Sequence, residues 1–133
     1  MIVSSKGRYA LRVMEALARS PEGENIPLKQ IAQSEGISQK YMESIMSILS
    51  KGNLVDASHG KNGGYRLNRH PRDYTVGDIL RLTEGDLTPV GCSAGCDRAE
   101  HCRNRPMWER LGKMIDEFFD GITLEGLTRE ETQ

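Results

Sequence analysis

The chain has 133 residues, of which 37% are hydrophobic and 28% charged, with a formal net charge of −1. That length suits one domain, or a small head with an extension that a partner completes. No run approaches the roughly 18 apolar residues that cross a bilayer, and the start Met-Ile-Val-Ser-Ser-Lys-Gly lacks the charged-then-apolar form of a signal peptide, so a cytoplasmic protein with no membrane role is expected.

The net charge hides an asymmetry. Residues 1–74 carry eleven Lys or Arg against seven Asp or Glu, and residues 75–133 carry seven against twelve. A basic first half joined to an acidic second half points to a polyanion partner for the first half alone.

In chain order, Ser4 or Ser5 can cap a helix beginning near Lys6, with an apolar stripe at Tyr9, Ala10, Val13, Met14, Leu17 and Ala18 that stops at the Pro21–Gly23 turn. A second helix is expected from Pro27, burying Leu28, Ile31 and Ala32 and ending at Gly36. Ser38 then caps a third, with Tyr41, Ile45, Ile48 and Leu49 facing inward. Two short helices split by a glycine turn make the helix-turn-helix pattern of DNA readers. Leu54–Ser58 and Tyr65–Asn68 read as two strands joined by the tip His59-Gly60-Lys61-Asn62-Gly63-Gly64, a wing placed to reach a neighbouring phosphate or the minor groove.

Thr75 and Asp78 can form the cap of a fourth helix carrying Val76, Ile79, Leu80 and Leu82 and closed by Gly85. Pro106 opens a long helix to about Asp120, with apolar positions at Trp108, Leu111, Ile115, Phe118 and Ile122. That three-and-four spacing is a coiled-coil seam, expected to pack against its copy in a homodimer. The tail from Arg129 to Gln133 reads as polar and frayed. The expected fold class is mainly α: a winged helix-turn-helix head over 1–74, then a linker helix, a cysteine loop and a dimerisation helix over 75–133.

All three cysteines, Cys92, Cys96 and Cys102, fall within eleven residues at the spacing C-x3-C-x5-C. Clustered thiolates in one loop are how proteins hold soft metals or iron-sulfur clusters, and an odd count argues against a disulfide scaffold. Zinc in a Cys3His site with His101, and a direct thiol oxidation switch, are the alternatives. On the outward face of the third helix, Ser38, Gln39, Lys40, Glu43, Ser44 and Ser47 are the candidate contacts to double-stranded DNA: the Gln amide suits adenine, Lys suits guanine or phosphate, and Glu accepts from cytosine. In the wing the candidates are His59, Gly60 and Lys61, with Lys6, Arg8, Lys51, Arg66 and Arg69 as phosphate contacts. No nucleophile-and-base set surrounds His59, His70 or His101, so no enzyme is expected.

The Ser-Ser-Lys-Gly-Arg-Tyr-Ala start, Ile37-Ser38 with Tyr41-Met42-Glu43, the wing Gly63-Gly64-Tyr65, Thr75-Val76-Gly77-Asp78-Ile79, the late triple cysteine and Ile122-Thr123-Leu124 together resemble the Rrf-two superfamily of bacterial winged-helix transcription factors. The likeness spans nearly the whole chain and is nearest to the iron-sulfur branches, IscR-like and NsrR-like, with the CymR-like branch near in the head. The resemblance implies a homodimer with crossing C-terminal helices, and a two-iron or four-iron cluster on Cys92, Cys96 and Cys102 with one non-cysteine ligand. It also implies that Glu43 selects among DNA sites. The pattern differs in three places: three residues, not five, separate Cys92 from Cys96; Arg105 stands where IscR-like chains place a ligating histidine; and Arg8 stands where some NsrR-like chains use a partner's aspartate. Arginine has no lone pair for iron, which leaves His101 and Glu84 as the first candidates for the fourth ligand. Control by a partner protein, as in CymR-like regulators, is a further alternative.

Overall fold

The computed structural model describes residues 3–90 and 101–131. Helix α1 (Ser5–Arg19) is capped by Ser4, whose hydroxyl oxygen accepts from the Gly7 N–H, and it buries Ala10, Val13, Met14 and Leu17. Helix α2 (Leu28–Glu35) starts after Pro27 and ends at Gly36, which takes the left-handed conformation at φ 66° that glycine enters without a Cβ clash. Helix α3 (Gln39–Lys51) is capped by Ser38. Strands β1 (Val55–Ser58) and β2 (Gly64–Leu67) pair antiparallel, Val55 opposite Leu67 and Ser58 opposite Gly64.

Helix α4 (Val76–Glu84) begins with a complete capping box: the Thr75 Oγ1 accepts from the Asp78 N–H at 3.0 Å, and Asp78 accepts from the Thr75 N–H at 3.1 Å. Helix α5 (Arg105–Asp120) and helix α6 (Leu124–Glu131) complete the described chain. The main core joins α1, α2, α3 and the wing base. A second cluster gathers Val76, Leu80 and Leu87 with Ile115, Phe119, Ile122 and Leu127 between α4, α5 and α6.

Four features depart from the sequence reading. The inward face of α3 is turned slightly: Met42, Ile45, Met46 and Leu49 are buried, while Tyr41 and Ile48 are half-buried. Methionine fills irregular core gaps well, and both expected edge positions move to the rim. The wing gains a third backbone partner, because Ile26 and Tyr65 exchange two N–H to carbonyl bonds of 2.9 Å. Gly64 permits this approach, since a Cβ there would meet the Ile26 carbonyl.

The expected seam on α5 also divides between two faces. Ile115 and Ile122 pack on the second cluster with Phe119, whereas Met107, Leu111, Met114 and Phe118 stand exposed, and no residue of α5 is fully buried. Finally, a helix not expected from the sequence follows α5, and it runs through Arg129 to Glu131, into the tail expected to fray. Thr123 pairs with Thr75, the Leu124 N–H donates to the Tyr74 carbonyl at 3.0 Å, and Leu124 is fully buried in the main core. Helix α6 thus returns to α1 from the far end of the sequence.

Helix α4 is held from two sides. Toward α5, Arg81 forms a fork, donating to both Asp120 oxygens at 2.7 and 2.9 Å and to Asp116 at 3.0 Å. These carboxylates raise the Arg81 pKa, and Arg81 in turn lowers that of Asp120. Gly77 lets the helices come this close, because a Cβ would strike the Asp120 carboxylate and lie 2.8 Å from the Arg81 guanidinium. Toward α1, Glu84 Oε1 accepts from the Ser4 hydroxyl at 2.5 Å and from the Ser4 N–H at 3.3 Å, placing a carboxylate at the positive end of that helix.

Candidate nucleic-acid interface and cysteine site

The α3 surface is built by its period. With Met42, Ile45, Met46 and Leu49 committed to the core, Gln39, Lys40, Glu43, Ser44 and Ser47 must point away, and all five are exposed together with the cap Ser38. The Ser38 oxygen accepts from the Tyr41 N–H at 3.1 Å, which leaves its hydroxyl proton free to donate outward. No acidic side chain lies in the first turn of α3, so the partial positive charge of its exposed N–H groups is uncompensated. Neither Lys40 nor Glu43 is paired among the described residues. The arrangement offers donors, one cation and one selective acceptor to the edges and phosphates of a groove.

Beside it, His59, Gly60 and Lys61 form the exposed wing tip, closed by a turn in which the Gly63 N–H donates to the Gly60 carbonyl at 3.1 Å. The wing is held to the core by Tyr74, a residue the sequence reading passed over. Its fully buried ring places a hydroxyl that donates to the Leu54 carbonyl at 2.7 Å and accepts from the Asn68 N–H at 3.1 Å. Burial raises its pKa, so it stays a neutral donor. A lone tyrosine directly before the Thr75 cap was the available signal.

The candidate phosphate contacts divide. Lys51 and Arg66 are exposed, Lys6 is half-buried, and Arg8 donates to the Ser5 hydroxyl at 3.2 Å. Arg69 is engaged within the fold, where it donates to the Asn53 carbonyl at 2.7 Å and lies 4.8 Å over the Tyr74 ring.

Of the cysteines, Cys92 and Cys96 lie outside the described residues. Cys102 is a half-buried free thiol whose carbonyl accepts from the Arg105 N–H at 3.3 Å, so it heads the turn that starts α5. His101, beside it, is exposed. Glu84 sits at the other end of the connection, half-buried and engaged with Ser4, so ligation by Glu84 requires its second oxygen or release of Ser4. Among the described residues no three His, Cys, Asp or Glu side chains come together as a metal site.

The exposed side of α5 is a stripe of Met107 (53% exposed), Leu111 (38%), Met114 (57%) and Phe118 (63%). Alternating spacings of four and three put these residues on one face. Among the described residues no helix is long and apolar enough to cross a membrane.

Comparison with known proteins identifies the family. The family model described as an iron-dependent transcriptional regulator, Rrf2, matches residues 3–130. The chain is 37% identical to the regulator CymR of Bacillus subtilis over 127 residues, covering 96% of this chain and 89% of that protein. It is 34% identical to the regulator IscR of Aliivibrio salmonicida over 126 residues, covering 93% and 75%. The solved structure of CymR, described as the global cysteine regulator of B. subtilis, superposes with a TM-score of 0.82 at 35% identity and covers 98% of both chains.

Proposed function

Because the chain belongs to the Rrf2 family of transcriptional regulators, we propose that it is a homodimeric DNA-binding repressor whose operator affinity is set by an iron-sulfur cluster on Cys92, Cys96 and Cys102. The DNA contacts are Ser38, Gln39, Lys40, Glu43, Ser44 and Ser47 on α3, with His59, Gly60 and Lys61 of the wing. The observation that carries the DNA part of this assignment is the exposure of Gln39, Lys40, Glu43, Ser44 and Ser47 on one face of α3, beside the exposed cap Ser38 and opposite the buried Met42, Ile45, Met46 and Leu49. The apolar stripe of α5 is the surface that meets a second copy.

The donor set fits the cluster in chemistry: three thiols near one another in sequence are soft ligands, and the IscR-named relative supports the same assignment. When bound, such a cluster supplies sensitivity to oxygen, nitric oxide and iron supply. The chain's own residues do the rest. Cys102 accepts from the Arg105 N–H at the start of α5, and Glu84 is bonded through Ser4 to the start of α1, so the two ends of the cysteine connection abut the dimer helix and the DNA head. A change at Cys102 that tilts α5 is carried by Arg81 into α4 and alters the spacing of the two α3 helices, which must match half-sites about 34 to 36 Å apart.

The comparable similarity to CymR favours a second reading, in which the thiols respond directly to oxidation or cysteine supply, without a cluster, or a partner protein sets the affinity. One preparation separates them. Protein purified without oxygen is assayed for iron, sulfide, zinc and visible absorption, and its affinity for a duplex selected from random sequences is measured before and after chelation. Iron and sulfide with a changed affinity after chelation are expected. Stoichiometric zinc, or metal-free protein whose affinity follows thiol oxidation, would overturn the cluster assignment and leave the DNA assignment standing.

A further inference from the structure

We infer that Arg12 and Glu35 are a positioning pair that fixes the angle of α3 against DNA without touching it. The inference rests on the assignment of α3 as the DNA reader. Arg12, in α1, makes two bonds to the last residue of α2: its Nε donates to Glu35 Oε2 at 2.8 Å and its Nη2 donates to the Glu35 carbonyl at 3.2 Å. That carbonyl lies at a helix end, where no further turn supplies a partner, so the guanidinium satisfies it. The carboxylate is largely covered, at 10% side-chain exposure against 48% for Arg12.

The same guanidinium lies 5.3 Å over the Tyr9 ring, and Tyr9 meets the ring of Tyr41 edge to face at 5.8 Å. Tyr41 stands in the first turn of α3, where its N–H donates to Ser38. One side chain of α1 therefore reaches the end of α2 directly and the start of α3 through one tyrosine, on either side of the turn 36–38. The corner of the helix-turn-helix is clamped from outside.

Geometry decides why this matters for DNA more than for folding. With the Arg12 side half exposed, solvent screens the pair and keeps its contribution to stability small. Helix α3, however, has 13 residues and a length of about 20 Å, so a tilt of about 5° at its first turn moves its far end by about 1.7 Å. That exceeds the width of the hydrogen-bond distance range through which base edges are read. The fork also explains the choice of arginine, since lysine is a point charge that cannot hold a side-chain oxygen and a carbonyl in one plane.

The test uses the full chain, purified without oxygen, with two probes: a duplex about three helical turns long enriched by the unaltered protein from random sequences, and poly(dI-dC) as the non-specific competitor. Arg12→Lys keeps the charge and loses the fork; Glu35→Gln removes a negative charge and leaves a neutral amide. Each is expected to weaken binding to the selected duplex about tenfold, the scale of one lost base contact, with poly(dI-dC) affinity, salt slope and thermal midpoint unchanged. Parental affinity in Arg12→Lys would overturn the inference, as would Glu35→Gln binding both probes more tightly, the outcome expected of charge alone. A salt slope reduced by about one in Arg12→Gln would instead make Arg12 a phosphate contact. Gln39→Ala with Ser44→Ala distinguishes the underlying assignment: if that pair of changes leaves selected-duplex binding intact, the α3 reading itself fails; if it weakens binding while the Arg12 and Glu35 variants do not, only the positioning role fails.

Discussion

Helices α3 and α5 each keep a face that no other described residue covers, and the two faces are chemical opposites. On α3 the uncovered side carries hydroxyls, an amide, an ammonium and a carboxylate. On α5 it carries two methionines, a leucine and a phenylalanine. The first is stable in water and gains from a partner that offers charge and hydrogen bonds; the second is costly in water and gains from a partner that offers apolar area. Under the proposed function, a regulator that leaves DNA but keeps its dimer needs this division, because contacts to a polyanion weaken with salt while a closed apolar contact does not.

The sharpest way to break the comparison is to give α5 the character of α3. Leu111→Asp combined with Phe118→Asp is expected to weaken self-association at least about a hundredfold, the scale of an unpaired charge in a closed apolar contact, as measured by sedimentation equilibrium. Association equal to the parent's would mean that the stripe meets no second copy. A smaller effect comes from loosening the support beneath the proposed DNA face. Tyr74→Phe deprives the buried Leu54 carbonyl of its donor and the Asn68 N–H of its acceptor, so denaturant unfolding is expected to show a loss of about 2 kcal/mol, with dimerisation unchanged.

Ser38→Ala tests the boundary between structure and recognition on one side chain. Loss of the cap is expected to cost about 1 kcal/mol in stability, and selected-duplex affinity is expected to fall by more than this destabilisation alone transmits. The smallest effect concerns the clasp between α4 and α5. Arg81 holds the Asp120 carboxyl below its usual range, so the clasp contributes fully above the unfolded pKa of about 3.9 and is lost as pH falls through the lower folded value. Below about pH 4 the thermal midpoint of the parent is therefore expected to fall slightly more steeply than that of Asp120→Asn. Both partners are partly exposed, which keeps the difference small.

What could be read from the sequence follows the range of the interactions involved. Caps and glycine stops are local, so α1, α2 and α4 begin and end, and α3 begins, within a residue or so of their expected bounds, and the Thr75 to Asp78 box is present as expected. The outward face of α3 was legible because its period leaves those positions no other direction. The face of α5 was half legible: a three-and-four pattern identifies apolar positions, but two stripes lie side by side on this helix. Only the place of α4 decides that Ile115 turns inward and Met114 does not. The pairing of Ile26 with Tyr65, the Arg81 fork and the return of α6 join residues distant in sequence through few apolar side chains. Periodicity carries no record of such contacts. The Arg12 to Glu35 bond, 23 residues apart, is of the same kind.

The pairing of Thr123 with Thr75 has a consequence for how this architecture tolerates change in length. Residues 76–122 leave and re-enter the head at adjacent points, tied by the Val76 N–H to the Ile122 carbonyl at 2.9 Å and the Leu124 N–H to the Tyr74 carbonyl at 3.0 Å. They form a handle whose two ends share one mounting. Adding or removing residues between the two ends changes only the circumference of that handle, and loop-closure entropy grows slowly with length, by about 0.6 kcal/mol for each doubling. The spacing of thiols can accordingly change while the mounting keeps its register.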